Sequence, residues 1–401
     1  MSPAEIVNPQ TGLLYLCACA LQKTKADPQV ISRMDLNQVY KLAKAQSLCA
    51  LAWYGLDPAS VNLGDELSAM WSKRVSQSQF KSLMMKSERE AVCQFCNALG
   101  ISHLLLKGIL VEELYPAAGT REMSDNDILF DPQFASQIRD FFLSRGYDIE
   151  QYGQGNHDVY LKKPAFNFEM HKALFKNYSQ FPVHAQITPA KYYENPFERA
   201  MKRSEDSFEY RLSDSDFYVY HTTHNYKHYA GAGLGVRNLT DCYVLKKRLN
   251  LDEAYIEKEL EKLGIADYEK TLSALSLQLF QNPNRTIENL QSLNPDEDKM
   301  LKAHFAGGTY GSAHTLHRNQ LQRLREGKGL SLKQAKIRYV MALIHPNRDH
   351  MKDWCRIKAP FFLKHEGLIW LSPIYRMMIC AGSLTKRMET IRQIYEMKEA
   401  G

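Results

Sequence analysis

The fold of this chain is decided by two short stretches: residues 103–130, HLLLKGILVEELYPAAGTREMSDNDILF, and residues 166–171, FNFEMH. The leucines at 104–106 predict a buried strand that ends at Lys107 and Gly108. A helical segment at 109–115 follows, and then a polar turn that carries Arg121. A second strand is predicted at 127–130, with two carboxylates at its entry. A third strand alternates apolar and polar residues over 166–170.

Working outward, residues 101–205 mix short strands with helices, which predicts a compact α+β domain built on a mixed sheet. Further strands are predicted at 147–151 and 158–162, and a helix at 134–144 that Gly146 ends. Residues 1–100 and 206–401 carry the i, i+3, i+4 spacing of amphipathic helices. Three regions are therefore predicted: a helical N-terminal region 1–100, a sheet domain 101–205 and a helical C-terminal region 206–401. The clearest helices of the last region are expected at 217–229, 241–249, 252–263, 268–280, 296–305 and 331–343.

The composition indicates which kind of ligand and which cellular compartment to expect. The 401 residues carry 51 Lys and Arg against 45 Asp and Glu, a net charge of +6. This excess suits an anionic ligand such as a nucleotide but is too weak to favour nucleic acid. The eight cysteines are scattered, and Cys93-x-x-Cys96 has no second pair to complete a zinc site. Reduced thiols in the cytoplasm are therefore expected. No segment approaches the roughly 18 apolar residues of a membrane span.

Three acidic residues form the candidate centre. Asp125 and Asp127 are two residues apart, so in an extended chain both side chains point the same way. On the strand 166–170 the alternation puts Glu169 and His171 on the polar face. Mg²⁺ prefers oxygen ligands, usually one or two carboxylates with phosphate oxygens. A second strand that brings Glu169 to the two aspartates would complete such a site, with Mn²⁺ as the alternative ion.

Residues beside these carboxylates suit a phosphate. Gly108 lets the backbone approach an anion closely, and the helix that begins at Ile109 presents free N–H groups. Lys107 and Arg121 are the cationic contacts. Each feature also has an ordinary structural explanation. Asp-x-Asp is common in capping turns, Lys-Gly is common in turns, and a single Glu on a strand usually faces solvent. Their ordered combination is what favours a site.

This order of motifs resembles the uncharacterised nucleotidyltransferases of the DNA polymerase beta-like superfamily. The matching segments are LLLKG, ELYP, Arg121, SDNDILF and FEMH, followed by HTTHNYKH at 221–228 and GLGVRNLTDCYVL at 233–245. The segment RYVMALIHPNRDHMKDW and the later LSPIYRMM are similar to the family's closing segment. The resemblance implies a nucleotidyltransferase fold, with Asp125, Asp127 and Glu169 holding one or two Mg²⁺ ions and Gly108 near the triphosphate.

Two residues depart from the superfamily's pattern. Ile109 follows Gly108 where Ser or Gly is usual, which removes a hydroxyl from the phosphate grip, and Lys107 is the residue that would compensate. Asn126 is polar where an apolar residue is common, and we expect it to loosen the entry of the strand.

The segments after the sheet domain offer further candidates. His221, His224 and His228 share one stripe of a helix. Zinc binding is one interpretation, but roles in packing the helix or in lining the cleft are favoured. In the cleft, His224 and His228 are expected to contact the nucleotide, as is His171. The glycines at 231, 233 and 235 predict a flexible joint before the helix from Asn238, and Arg237 and Asp241 then face the site. The basic, aromatic C-terminal part could bind nucleic acid, which is not favoured.

Two main hypotheses follow, beside a third in which the histidines at 221–228 serve a zinc hydrolase. The first is an Mg²⁺-dependent nucleotidyltransferase that moves an NMP group from an NTP to a small molecule, peptide, protein or RNA and releases pyrophosphate. The second is a non-catalytic nucleotide-binding or interaction protein on the same fold. The missing Ser after Gly108 favours the second. Retention of three acidic residues favours the first, because without metal they repel one another.

Overall fold

The computed structural model describes residues 6–59, 61–176, 180–309, 311–344 and 384–397. Most of the basic, aromatic C-terminal part lies outside these ranges, including Pro346, Arg348, Trp354, Arg356, Lys358, Pro360, Phe361, Phe362, Trp370, Pro373 and Tyr375. The segments similar to the family's closing segment also lie outside them from residue 345 to residue 378. The chain divides into two compact units: Met1–Tyr229 with Gly233–Tyr310, and Ala230–Ala232 with Gly311–Gly401.

The first unit contains a mixed sheet of seven strands among many helices, which confirms the predicted fold class. Its strands are β1 (His103–Leu105), β2 (Asn126–Phe130), β3 (Asp148–Gln151), β4 (His157–Lys162), β5 (Phe166–His171), β6 (Ala200–Lys202) and β7 (Glu209–Leu212). They lie in the order β3-β4-β5-β2-β1-β7-β6. The sequence did not predict β6 and β7, because they are too short for apolar alternation to show.

Helices precede the sheet and interrupt it. They are α1 (Pro9–Leu21), α2 (Pro28–Ile31), α3 (Leu36–Ala45), α4 (Cys49–Gly55), α5 (Asp65–Ala98), α6 (Gly108–Glu112), α7 (Ala135–Ser144) and α8 (Pro189–Tyr192). The helix predicted at 109–115 is therefore wrong in its extent. Residues 113–115 do not continue the α-helix, because Pro116 disfavours helical backbone at the residue before it.

The helices after the sheet follow the predicted ones closely. They are α9 (Asp214–Tyr229), α10 (Arg237–Arg248), α11 (Glu253–Lys262), α12 (Ala266–Phe280), α13 (Pro283–Gln291) and α14 (Pro295–Gly307). The helix α13 was not predicted, although Asn282 caps its first turn and Pro283 begins it.

The two faces of the sheet bury different sets of residues, because side chains alternate along each strand. On one face Ile128, Phe130 and Phe168 pack with residues of α5 and α7 such as Val92 and Phe142. The other face joins the larger core, which contains residues from α1 to α14. The boundaries at 100 and 205 stay a prediction; residues of all three predicted regions contribute to this larger core.

In the second unit, the described residues form the helices α15 (Ala313–Lys328), α16 (Leu332–Ile344) and α17 (Leu384–Glu396). Leu321, Ala335, Val340 and Ile394 form its core. In the part of the chain that the structure describes, no helix combines the length and the apolar character that crossing a membrane requires.

Candidate active site

The register of two parallel strands brings two carboxylates together. β2 pairs with β5 so that Asp127 lies opposite Glu169, on the face away from Phe168. Asp125 precedes β2 by one residue and lines the same cleft as Asp127 and Glu169. The three side chains therefore converge beside the start of β2, although about forty residues of chain separate the aspartates from the glutamate.

Lys107 is held among these carboxylates. Its φ of +49° lies in the left-handed region, which non-glycine residues adopt at a cost of roughly 1–3 kcal/mol. Its Nζ lies 2.7 Å from Asp127 Oδ1 and 3.9 Å from Glu169 Oε2. Burial by itself lowers the pKa of Lys107, but the negative charge of Asp127 outweighs burial and raises that pKa above its usual value. The strained backbone thus accompanies an ammonium group that neutralises the acidic centre.

Histidines flank the same carboxylates. His171 Nε2 lies 2.8 Å from Asp127 Oδ1. Burial raises the pKa of Asp127, but the charge of Lys107 and the contact with His171 outweigh it and hold that pKa well below its usual range. His157 lies opposite His171 on β4. One ligand atom from each of His157, Glu169 and His171 lies within 4.8 Å of the others, so these three residues could share a metal ion.

Asp125 is in a different electrostatic position. Burial raises its pKa to about 6, and the negative charges of Asp127 and Glu169 act in the same direction. The positive charges of Lys107 and Arg237 oppose the rise without cancelling it. A divalent cation bound beside Asp125 would favour the ionised form of this carboxyl group.

Asn126 does not loosen the strand, contrary to the expectation from the sequence. Its side chain is buried, accepts a hydrogen bond of 2.9 Å from Arg89 Nη1 and donates one of 3.2 Å to the carbonyl oxygen of Met85. Arg89 and Met85 both belong to α5. The polar residue between the aspartates therefore fastens the start of β2 to this long helix and fixes the position of both aspartates.

Arg121 and Asp241 form a buried ion pair in the wall of the cleft. Arg121 donates two hydrogen bonds of 2.8 Å to the two carboxylate oxygens, and Tyr115 donates a third, of 2.7 Å. Burial raises the pKa of Asp241, but Arg121 outweighs it and lowers the pKa to about 2. Gly108 packs against this pair, since a Cβ there would lie 2.7 Å from Arg121 Nη1.

The helix α9 lines the cleft with His221, His224, Lys227 and His228. Burial lowers the pKa of His221 to about 4 and that of His228 to about 3, and it lowers the pKa of His224 as well. These imidazoles are therefore neutral at neutral pH. Burial and the charge of Lys107 lower the pKa of Lys227 to about 8. The three histidines do not form one of the metal-capable groups found among the described residues.

The glycine-rich joint is packed at its C-terminal end. Gln46 Oε1 accepts a hydrogen bond of 2.9 Å from the backbone N–H of Val236, and a Cβ on Gly235 would lie 2.7 Å from the same oxygen. Gly235 thus serves close packing instead of a flexible turn. Just beyond it, Arg237 donates a hydrogen bond of 2.7 Å to the carbonyl oxygen of Glu122.

The comparisons with known proteins agree with this geometry. Residues 32–281 match the family described as uncharacterised nucleotidyltransferase. The chain belongs to this family. No curated protein and no solved structure matches it. Membership supports nucleotidyl transfer as the general activity and a divalent metal as the usual cofactor of such an enzyme.

A divalent metal fits the residues present. The donors at Asp125, Asp127 and Glu169 are carboxylate oxygens, which hard cations prefer, and all three residues line the same cleft. The neighbouring set His157, Glu169 and His171 mixes nitrogen with oxygen, which suits Mn²⁺ or a later transition metal better than Mg²⁺.

Many of the residues that line the cleft were predicted from the sequence. All residues predicted for the site line one cleft of about 340 Å³: Lys107, Gly108, Arg121, Asp125, Asp127, Glu169, His171, His224, His228, Arg237 and Asp241. His157 was not predicted as a site residue, because the strand was predicted to begin one residue later. Lys227 was not predicted either, although it lies three residues after His224 and so on the same side of the helix.

Proposed function

We propose that this protein transfers an NMP group from an NTP to an acceptor and releases pyrophosphate, with Mg²⁺ as the metal and Mn²⁺ as an alternative. The proposal rests above all on the register of β2 and β5, which sets Asp127 opposite Glu169. Asp125, two residues before Asp127, completes three acidic residues in a cleft that also contains Lys107 and Lys227. Carboxylates with cations in one cleft are what the transfer of a charged phosphate needs.

In this proposal Asp125, Asp127 and Glu169 hold the metal. When bound, the metal neutralises phosphate charge and positions the triphosphate. Lys107, which contacts Asp127 and Glu169, would turn from these carboxylates to a phosphate oxygen when a triphosphate binds. This assignment gives Lys107 the role that a Ser after Gly108 would otherwise fill.

The reaction would proceed by displacement at the α-phosphorus. The acceptor oxygen forms a bond to that phosphorus, the bond from the α-phosphorus to the bridging oxygen of the β-phosphate breaks, and pyrophosphate leaves with the electron pair. The proton of the acceptor hydroxyl passes to Glu169, whose side chain is about 25% exposed and so reachable from the mouth of the cleft.

The remaining cleft residues take roles that their contacts suggest. Lys227 and Arg237 are the cations proposed to face the phosphates, because Arg121 is already paired with Asp241. Arg121 and Asp241 then shape the wall beside Gly108. His224 and His228 would donate or accept hydrogen bonds at the nucleotide as neutral imidazoles, without contributing positive charge. His171, which contacts Asp127, would also contact the nucleotide.

The acceptor is a small molecule, a peptide, a protein or an RNA end, and the helices around the cleft are where its recognition is expected. The described cysteines are free and mostly buried, as is usual in a reducing compartment, and we propose the cytoplasm.

The test is label transfer from each of the four α-labelled NTPs to a pool of small molecules, peptides and RNA from the host, with and without Mg²⁺ or Mn²⁺. Wild type is compared with D127N, E169Q and the control D140N, which changes an exposed carboxylate on α7. Metal-dependent transfer in wild type and D140N that D127N and E169Q lose would support the proposal. Transfer that survives in D127N and E169Q would contradict it.

The second candidate function is nucleotide binding without transfer. It is favoured by Ile109, which is buried in the core where the superfamily usually has a residue that can contact phosphate. Calorimetry separates the two candidates. NTP binding of equal strength in wild type and D127N, with no labelled product from either, would support the second candidate.

A further inference from the structure

We propose that Cys93, His103 and Glu209 bind a zinc ion on the face of the sheet opposite the cleft. One ligand atom from each of these residues lies within 4.8 Å of the others. None of them lines the cleft or takes part in the proposed transfer reaction. The site therefore does not depend on the proposed function.

The sheet and α5 bring these three residues together. β1 pairs with β7 in parallel, and His103 lies opposite Glu209. On the other side of β1, His103 lies opposite Phe130, whose side chain belongs to the core between the sheet and α5. Cys93 is carried by α5, which packs on that face. Asp127 points to the opposite face, because side chains alternate along β2.

His103 has the form of a metal ligand. Its side chain is fully buried, and its Nδ1 lies 3.0 Å from the carbonyl oxygen of Ile101. A carbonyl oxygen only accepts, so Nδ1 carries the hydrogen and Nε2 holds a lone pair. This Nε2 is buried and has no hydrogen-bond partner among the described residues. An imidazole fixed through Nδ1 with a free Nε2 is the usual arrangement around protein-bound metals.

The donor set indicates the kind of metal. A thiolate, an imidazole and a carboxylate are the ligands of tetrahedral zinc, with water in the fourth position, whereas Mg²⁺ and Ca²⁺ prefer oxygen alone. Glu209 also accepts a hydrogen bond of 2.9 Å from Arg203, which orients its carboxylate. On binding zinc, Cys93 would release its thiol proton to solvent.

Zinc at this position would fasten α5 to β1 and β7. A hydrogen bond of 2.8 Å from the backbone N–H of Phe208 to the Asn97 side chain already joins the end of α5 to the start of β7. Nearer the middle of the same helix, Arg89 donates a hydrogen bond to Asn126, the residue between the two aspartates proposed for catalysis. The metal would thus brace the helix that positions the acidic centre, from the other side of the sheet.

The first test needs only the wild-type protein. Full-length, metal-free chain is titrated with Co²⁺ and then Zn²⁺, and thiol alkylation is mapped by mass spectrometry with and without Zn²⁺. We expect about one equivalent of Co²⁺ to give a thiolate-to-cobalt charge-transfer band that Zn²⁺ removes. Zinc should slow the alkylation of Cys93 at least tenfold. Absence of the band, or equal alkylation of Cys93 in both samples, would overturn the proposal.

Variants identify the ligands. C93S and H103N should lose the cobalt band and the bound zinc. C96S is the matched control, because Cys96 is a buried thiol one turn farther along the same helix, and it should keep both. D127N should also keep both, which separates this site from the acidic centre. A cobalt band that persists in C93S or disappears in D127N would be evidence against the assignment.

Discussion

The pair formed by Arg121 and Asp241 gives the sharpest quantitative prediction. It joins the turn before β2 to α10, and its side chains are only 8% and 5% exposed. Replacing Asp241 by Asn removes the negative charge with little change of shape. Arg121 would then be a buried cation without a counterion, and Tyr115 would lose a carboxylate acceptor.

The expected cost follows from this burial. Removing one partner of a buried pair costs about 3–5 kcal/mol, because the other charge stays uncompensated. The lowered pKa of Asp241, about 2 against a model-compound value of 3.8, corresponds to about 2 kcal/mol for the charge alone. At about 1.4 kcal/mol for each factor of ten, D241N should speed amide exchange in α10 by roughly two to nearly four orders of magnitude.

Native-state hydrogen exchange read by mass spectrometry measures this effect on peptides of α10 and does not require the two units to unfold together. D140N is the control, since Asp140 pairs with Arg139 at the surface, and it should leave exchange in α7 within a few-fold of wild type. The double variant R121M/D241L replaces the pair by apolar side chains and should recover much of the loss. If D241N changes exchange in α10 no more than D140N changes it in α7, the ion pair does not stabilise the wall of the cleft.

Two further predictions concern charge. The folded-state pKa of Asp241 lies below its unfolded value, so its contribution to stability is complete above about pH 4 and is lost as the pH falls through about 2. The difference in unfolding free energy between wild type and D241N should therefore shrink over this range, and a difference independent of pH would count against the pairing. K107M removes the ammonium group 2.7 Å from Asp127, so Mn²⁺ measured by electron paramagnetic resonance without NTP should bind about tenfold or more tightly, while NTP affinity falls. Weaker Mn²⁺ binding in K107M would show that Lys107 organises the carboxylates instead of competing with metal.

The local pattern of apolar and polar residues was sufficient to predict most of the strands and helices around the cleft. The strands at 103, 127, 158 and 166 were predicted to within a residue or two because their alternation or apolar run is short-range information. The helix predicted at 109–115 is too long because Pro116 disfavours helical backbone before it. The strands β6 and β7 were not predicted because strands of three and four residues carry no periodic signal.

The sequence by itself determined the α+β class, the family, and the acidic residues proposed for catalysis, since these depend on residue types at fixed spacing along the chain. The tertiary structure alone decided how those residues are paired. Arg121 meets Asp241 across 120 residues, and Lys107 turns onto Asp127 through a backbone conformation that no spacing predicts. The group of Cys93, His103 and Glu209 is of the same kind, because it forms only when β7 lies beside β1 and α5 covers the sheet. Contacts between distant residues depend on strand register and packing, and a single sequence records neither.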